Sequence, residues 1–149
     1  GLIDSWGSSK DIELLKKKQV IYGVNTGFRA LSNIRISPQE IKPLQSNLIR
    51  SHSSGVGKPL STEIVRALML LRINTLAKGY SGIGLETLET IVGMLNKGVH
   101  PKIPAKGSVG ASGDLAPLSH MILVLMGEGK AEYQGKVMTG KEAIWKKLE

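Results

Sequence analysis

The chain has 149 residues, a net charge of +8, 4% aromatic residues and no cysteine. That length suits one domain or part of a larger one, able to bury a core without disulfides. Thiol chemistry is excluded, and no apolar stretch approaches the roughly 18 residues that a membrane span needs. The N-terminal "GLIDSWGSSK" lacks the apolar segment of a secretory signal, which points to a cytoplasmic protein. The basic residues are scattered apart from Lys16-Lys17-Lys18 and Lys146-Lys147, with no aromatics interleaved, an arrangement that argues against nucleic acid as a partner.

In chain order, residues 10–18 predict a short helix and "QVIYGV" a short strand running into a glycine turn. Ser37-Pro38 is a helix start, and Ile41, Leu44, Leu48 and Ile49 continue it at helical spacing to about residue 50. Pro43 inside this pattern predicts a kink or a later start. "SHSSGVGKP" reads as a loop. Ser61 can cap the next helix, "TEIVRALMLLRINTLAKG", which Gly79 closes. That helix is apolar around most of its circumference, and so large an apolar surface predicts a partner. Residues 85–97 form a further helix stopped by Gly98. "VHPKIPAKGSVGASG" reads as loop, and "DLAPLSHMILVLMGEG" as an apolar helix with Pro117 near its start. "AEYQGKVMTG" predicts a hairpin turning at Gln134-Gly135, and "KEAIWKKLE" another helix. The expected class is mostly α, with helices joined by long glycine-rich loops and a little β.

Several familiar signatures fail. "GVGKP" has His52 and Pro59 where a phosphate loop needs Gly and Ser or Thr. "GIGLET" lacks the third glycine and follows a helix, so the dinucleotide reading fails. Ser112 has Gly110 two residues before it but Asp114 two residues after it, which is no nucleophile elbow. His52, His100 and His120 lack metal-ligand spacing, so no metal is expected.

One reaction does suit "GSVGASGDLAPLSH", residues 107–120. The amide nitrogen of Gly113 can attack the carbonyl carbon of Ala111 and close a five-membered ring. A Cβ at 113 would crowd that approach. Loss of two waters, one of them carrying the Ser112 hydroxyl, leaves a conjugated methylidene-imidazolone. A helix starting after Gly113 would aim its positive end at the new carbonyl. The plainer reading is that Ser112 caps that helix. The tripeptide by itself leaves both readings open.

Longer strings bear on the choice. "GSVGASGDLAPLSHM" resembles the active-site motif of the aromatic amino acid ammonia-lyases and aminomutases. "YGVNTGF" at 22–28 is similar to their tyrosine loop, and "SHSSGVGKPL" and "RINTLAKGYSG" to two further blocks in the same order. The resemblance runs from about Val20 to Met138 and is greatest to the histidine-specific members of the family. It implies the N-terminal part of the ammonia-lyase fold, with residues 1–149 carrying an active-site portion and a C-terminal helical part lying elsewhere. It implies a homotetramer that converts L-histidine to urocanate and ammonia, a step of histidine degradation. It implies a protein-derived methylidene-imidazolone (MIO) from Ala111, Ser112 and Gly113, no external cofactor, and Tyr22 as catalytic base. Ser51 and His52 fall at the pair that tracks the substrate ring in the family. His52 would then hydrogen-bond the substrate imidazole, the plainer alternative being a histidine that satisfies a backbone group. Tyrosine 2,3-aminomutases also carry histidine there, so tyrosine ammonia-lyase or aminomutase activity is the alternative within the family. A non-catalytic truncated fragment or interaction domain is the alternative outside it. His120 reads as structural, and Asp114 as a cap or a residue that positions the ring. One departure stands out: the tyrosine loop usually continues Phe-Gly, and here it is Phe28-Arg29. Arginine restricts the backbone there and adds a charge. The family's later catalytic residues have no counterpart within the 149 residues, so the chain alone is expected to be inactive.

Overall fold

The structure, a computed structural model, describes residues 20, 25–27, 32–108 and 115–147. The predicted helix at 10–18 and most of the predicted strand at 19–24 lie outside the described residues. So do Tyr22, Phe28-Arg29, Ala111-Ser112-Gly113 and Asp114.

Helix α1 spans Pro38–His52. Ser37 is extended at its N-cap, with Oγ donating to Glu40 Oε2 at 2.6 Å and accepting no backbone N–H of the helix. The helix runs on through Pro43, so the start is not displaced. It also outlasts its predicted end, taking Ser51 and His52 out of the expected loop. The last turn is held by side chains. The hydroxyls of Ser51 and Ser53 donate to the carbonyls of Leu48 and Ile49 at 2.8 Å, and the Ile49 carbonyl also accepts the Ser53 N–H at 3.0 Å.

Strand β1, Val56–Pro59, follows directly. Helix α2, Thr62–Ala77, and helix α3, Leu85–Lys97, then pack together. Ser61 stands extended at the N-cap of α2 but forms no side-chain cap bond; its carbonyl accepts the Val65 N–H at 3.0 Å. Gly79 follows the C-cap at φ 76° and donates to the Leu76 carbonyl. Gly98 ends α3 in the left-handed region at φ 72°, as its position predicts.

Short strands β2, Val99–Pro101, and β3, Pro104–Lys106, come next. Helix α4 is Leu115–Leu125, followed by β4, Lys130–Tyr133, β5, Lys136–Thr139, and α5, Gly140–Lys147. The β4–β5 hairpin pairs Tyr133 with Lys136, and its turn residues Gln134 and Gly135 take φ of 48° and 74°. Positive φ at both positions is the two-residue turn that matches strand twist. Strand β2 adds to the other edge of β4, giving an antiparallel sheet of order β2-β4-β5.

The predicted loops at 51–59 and 99–113 therefore contain strands. Strands β1 and β3 form an antiparallel ribbon, with Val56 opposite Lys106 and Pro59 opposite Pro104. Every residue of β1 is exposed, and the ribbon carries a proline on each strand. Proline is tolerated at such edges, and an exposed strand shows no hydrophobic alternation to read.

The core gathers Met69 of α2, Ile91 and Met94 of α3, Val99, Ile103, and Met121 and Val124 of α4. Helix α2 buries only a narrow stripe of Val65, Met69 and Leu76. Its other side leaves Ile64, Leu70 and Leu71 exposed, Leu71 at 66%. Arg50 at the end of α1 forks onto the Glu128 carboxylate after α4, with Nη2–Oε1 at 2.6 Å and Nε–Oε2 at 3.1 Å. No helix among the described residues is long and apolar enough to cross a membrane.

Candidate active site

Two of the four motif blocks, 51–60 and 107–121, meet at one place. The ribbon carries the segment 53–57 beside Gly107, and both lie on helix α4. A Cβ built on Gly107 would stand 2.7 Å from the Gly55 Cα and 3.4 Å from the Ala116 Cβ. Gly107 also has φ 150°, a conformation side chains rarely adopt. Gly55 is as tightly held: a Cβ there would meet His120 Nε2 at 3.0 Å and Pro104 Cβ at 3.1 Å. Gly107 is opposed by backbone and Gly55 by the side chains of His120 and Pro104, so neither position has room for a side chain.

The consequence for residues 108–115 is geometric. The chain leaves at Gly107 and re-enters α4 with Ala116 in contact with that exit point. Gly107 and Ala116, the described residues on either side of 109–114, are thus close together. Helix α4 begins at Leu115, so the helix expected after Gly113 is present, with its positive end towards that segment.

His120 lies one turn beyond Ala116 on α4. The Gly55 N–H donates to its Nε2 at 3.1 Å. The structural reading of His120 thereby gains a definite partner. Burial pushes the His120 pKa below the usual imidazole value, which suits a ring that must stay neutral to accept.

Ser51 and His52 sit at the end of α1, just before the Gly55 turn. His52 Nδ1 is 2.9 Å from the Leu48 carbonyl oxygen and 3.1 Å from Ser51 Oγ. A carbonyl only accepts, so Nδ1 carries the proton, and in the neutral ring Nε2 keeps a lone pair. The backbone-satisfying role of His52 and a recognition role are therefore compatible, one at each ring nitrogen. Ser51 is turned back to the Leu48 carbonyl and orients the histidine rather than reaching outward.

The described part of the tyrosine block is buried and tied down. Asn25, Thr26 and Gly27 pair with the segment after Asn33: Gly27 N–H donates to the Ile34 carbonyl at 3.1 Å, and Ile36 N–H to the Asn25 carbonyl at 2.9 Å. Tyr22 is close by in sequence, but its placement lies outside the described residues. The same holds for Ala111, Ser112 and Gly113. Among the described residues no group of His, Asp or Glu could hold a metal ion.

A sequence profile described as "Aromatic amino acid lyase" matches residues 10–148. The chain belongs to this family. Among the relatives of this aromatic amino acid lyase segment, histidine ammonia-lyase of Alkaliphilus oremlandii is 62% identical over 130 residues, covering 87% of the chain and 26% of that protein. Histidine ammonia-lyase of Streptococcus pyogenes serotype M3 is 55% identical over 144 residues, covering 95% of the chain and 28% of that protein. The segment therefore spans about a quarter of the length of the relatives it matches. The fold agrees. Phenylalanine aminomutase of Pantoea agglomerans superposes with a TM-score of 0.84 at 38% identity, over 91% of this chain and 26% of that one. Histidine ammonia-lyase of Trypanosoma cruzi gives 0.79 at 40% identity, over 92% and 26%. The expected mostly helical ammonia-lyase fold is thus the fold observed.

A second histidine pairing lies away from this site. Arg66 Nη1 stands 2.9 Å from His100 Nε2 and 3.2 Å from the Leu95 carbonyl. Burial first, then the Arg66 charge, lower the His100 pKa, while Glu132 opposes them. Both His100 and His120 are therefore more easily protonated in the unfolded chain. Between their lowered folded values and about 6.5, the unfolded state binds more protons, so stability rises with pH. Glu128 and Glu132 have lowered pKa values through Arg50 and Lys102, and lose their contribution only at more acid pH. Urea denaturation should accordingly show lower stability at pH 5.5 than at pH 7.5, and a His100→Gln, His120→Gln double variant should flatten the difference. An unchanged pH slope in that variant would refute the assignment.

Proposed function

We propose that this chain is the electrophile-bearing segment of a cytoplasmic, tetrameric histidine ammonia-lyase. The observation that carries the reading is the 55–62% identity to histidine ammonia-lyases over most of the chain. The closeness of Gly107 to Ala116 and the helix starting at Leu115 support it, since they fit a backbone compressed into a ring.

In this reading the amide nitrogen of Gly113 bonds to the Ala111 carbonyl carbon, and two waters depart, one with the Ser112 hydroxyl. The resulting MIO group supplies an electron-poor alkene able to capture the amino-acid substrate. Tyr22 takes the β-proton of L-histidine while the Cα–N bond breaks, giving urocanate and ammonia. A phenol near its ordinary pKa of about 10 is a slow base at neutral pH, so Tyr22 needs positive potential nearby. The N-terminal end of α4 is one source of it. His52, with Nδ1–H committed to the Leu48 carbonyl that fixes its tautomer, offers Nε2 as acceptor to a substrate ring N–H. No external cofactor or metal enters the scheme.

Two measurements on the full-length protein test this. Incubation with L-histidine should yield urocanate, and intact mass should fall short by two waters, a deficit abolished by Ser112→Ala. No urocanate from a protein with Ser112 intact would overturn the substrate, and a full expected mass would overturn the ring. Turnover of tyrosine with none of histidine would select the tyrosine ammonia-lyase or aminomutase alternative, which the fold likeness to aminomutases keeps in view. The 149 residues alone are expected to turn over no histidine, as a quarter-length segment of such relatives; detectable turnover would refute that.

A further inference from the structure

His120 is not used by the chemistry above, yet it occupies the junction of the two glycine loops. Helix α4 presents Ala116 and His120 on one face, one turn apart. Gly107 lies against Ala116, Gly55 lies against both Gly107 and His120, and Pro104 closes the other side. Within this packing the His120–Gly55 hydrogen bond is the directional contact; the rest is van der Waals contact between backbone and small groups. Sliding of the 53–57 segment along α4 is opposed by that bond.

We infer that His120 is a positioning residue, which through neutral Nε2 and the Gly55 N–H fixes where Ser51 and His52 stand relative to helix α4. The inference rests on the reading of Ser51-His52 as a substrate-recognition pair. Protonation converts Nε2 from acceptor to donor, and two donors then face each other, so the contact is broken. On the ribbon side His120 meets Gly55 beside Pro104, neither of them charged, while helix α1, which carries Arg50 and His52, also packs on α4. Lys58 and Lys106 are the charged residues of the ribbon strands, and burial is the cause that lowers the His120 pKa. The proton on His120 itself is therefore what controls the contact.

The 149-residue chain can be tested directly by nuclear magnetic resonance. The Gly55 amide resonance should move with the same midpoint as the His120 ring protons as pH falls from 7.5 to 5, and Gly55 exchange should accelerate at least tenfold over that range. His120→Gln, whose side-chain carbonyl can accept, should keep Gly55 protected and remove the titration. His120→Phe should lose the protection and shift Ser51–Gly57 while leaving the Tyr133–Lys136 hairpin unmoved. A Gly55 amide that ignores the His120 titration in the unaltered chain would overturn the inference, with no variant required. Equal Gly55 protection in His120→Phe would do so as well. None of these readouts depends on ring formation, which intact mass reads separately, so failure of the MIO reading would be recognised as such.

Discussion

Gly107→Ala is expected to cost the chain about 2–4 kcal/mol of stability, combining backbone overlap with a disfavoured dihedral. The added methyl would stand 2.7 Å from the Gly55 Cα, at φ 150°. Neither partner can yield cheaply, because the obstacle is backbone and not the end of a mobile side chain. Gly55 is held in turn by His120 and Pro104, so relief at one contact tightens the next. Gly135→Ala supplies the comparison. Its φ, 74°, is also positive, in the left-handed region that other residues enter at smaller cost, and nothing lies within 4 Å of the new methyl, so it shows a dihedral cost without overlap. Equilibrium urea unfolding of both variants measures the difference. Equal losses would mean that the approach of the 55 and 107 segments contributes nothing.

Met69→Ala is expected to cost about 2–5 kcal/mol, the range for truncating a fully buried side chain that leaves a cavity. Leu71→Ala, two residues along the same helix, should change stability by about 0.5 kcal/mol or less, as exposed substitutions do. Met69 is 0% exposed and Leu71 66%. The pair tests which side of α2 the chain buries by itself. A large loss for Leu71→Ala would show that this side is already covered, by association of the chain in solution, and the loss would then depend on protein concentration.

The helices were legible because their signals are local. Ser37-Pro38, Gly79 and Gly98 mark boundaries by dihedral preference, and the structure places α1, α2 and α3 accordingly. The Gln134-Gly135 turn is legible for the same reason. The ribbon of Val56–Pro59 with Pro104–Lys106 was not, since its pairing joins segments far apart in sequence and neither strand buries an alternating face. The end of α1 ran past its predicted limit because its stop is made by side chains. Ser51, His52 and Ser53 read as loop residues by composition, yet each hydrogen-bonds a carbonyl one turn back. At the candidate site, the residue types were readable and their tautomers and partners were not. That His52 commits Nδ1, and that His120 meets Gly55 and not a core group, are facts of three-dimensional packing. The narrow buried stripe of α2 agrees with the apolar circumference read from its sequence, which predicted more surface than one small domain covers.

The contact between Gly55 and Gly107 also sets an order of events. About 50 residues separate the two, and they include all of α2 and α3. Closing a loop of that size is entropically unfavourable until packing within it compensates. Docking of the α2–α3 pair therefore favours the approach of Gly55 to Gly107. In the proposed reading, self-modification of Ala111, Ser112 and Gly113 would then follow tertiary folding. Maturation of the electrophile would in that case report on the health of the packed core.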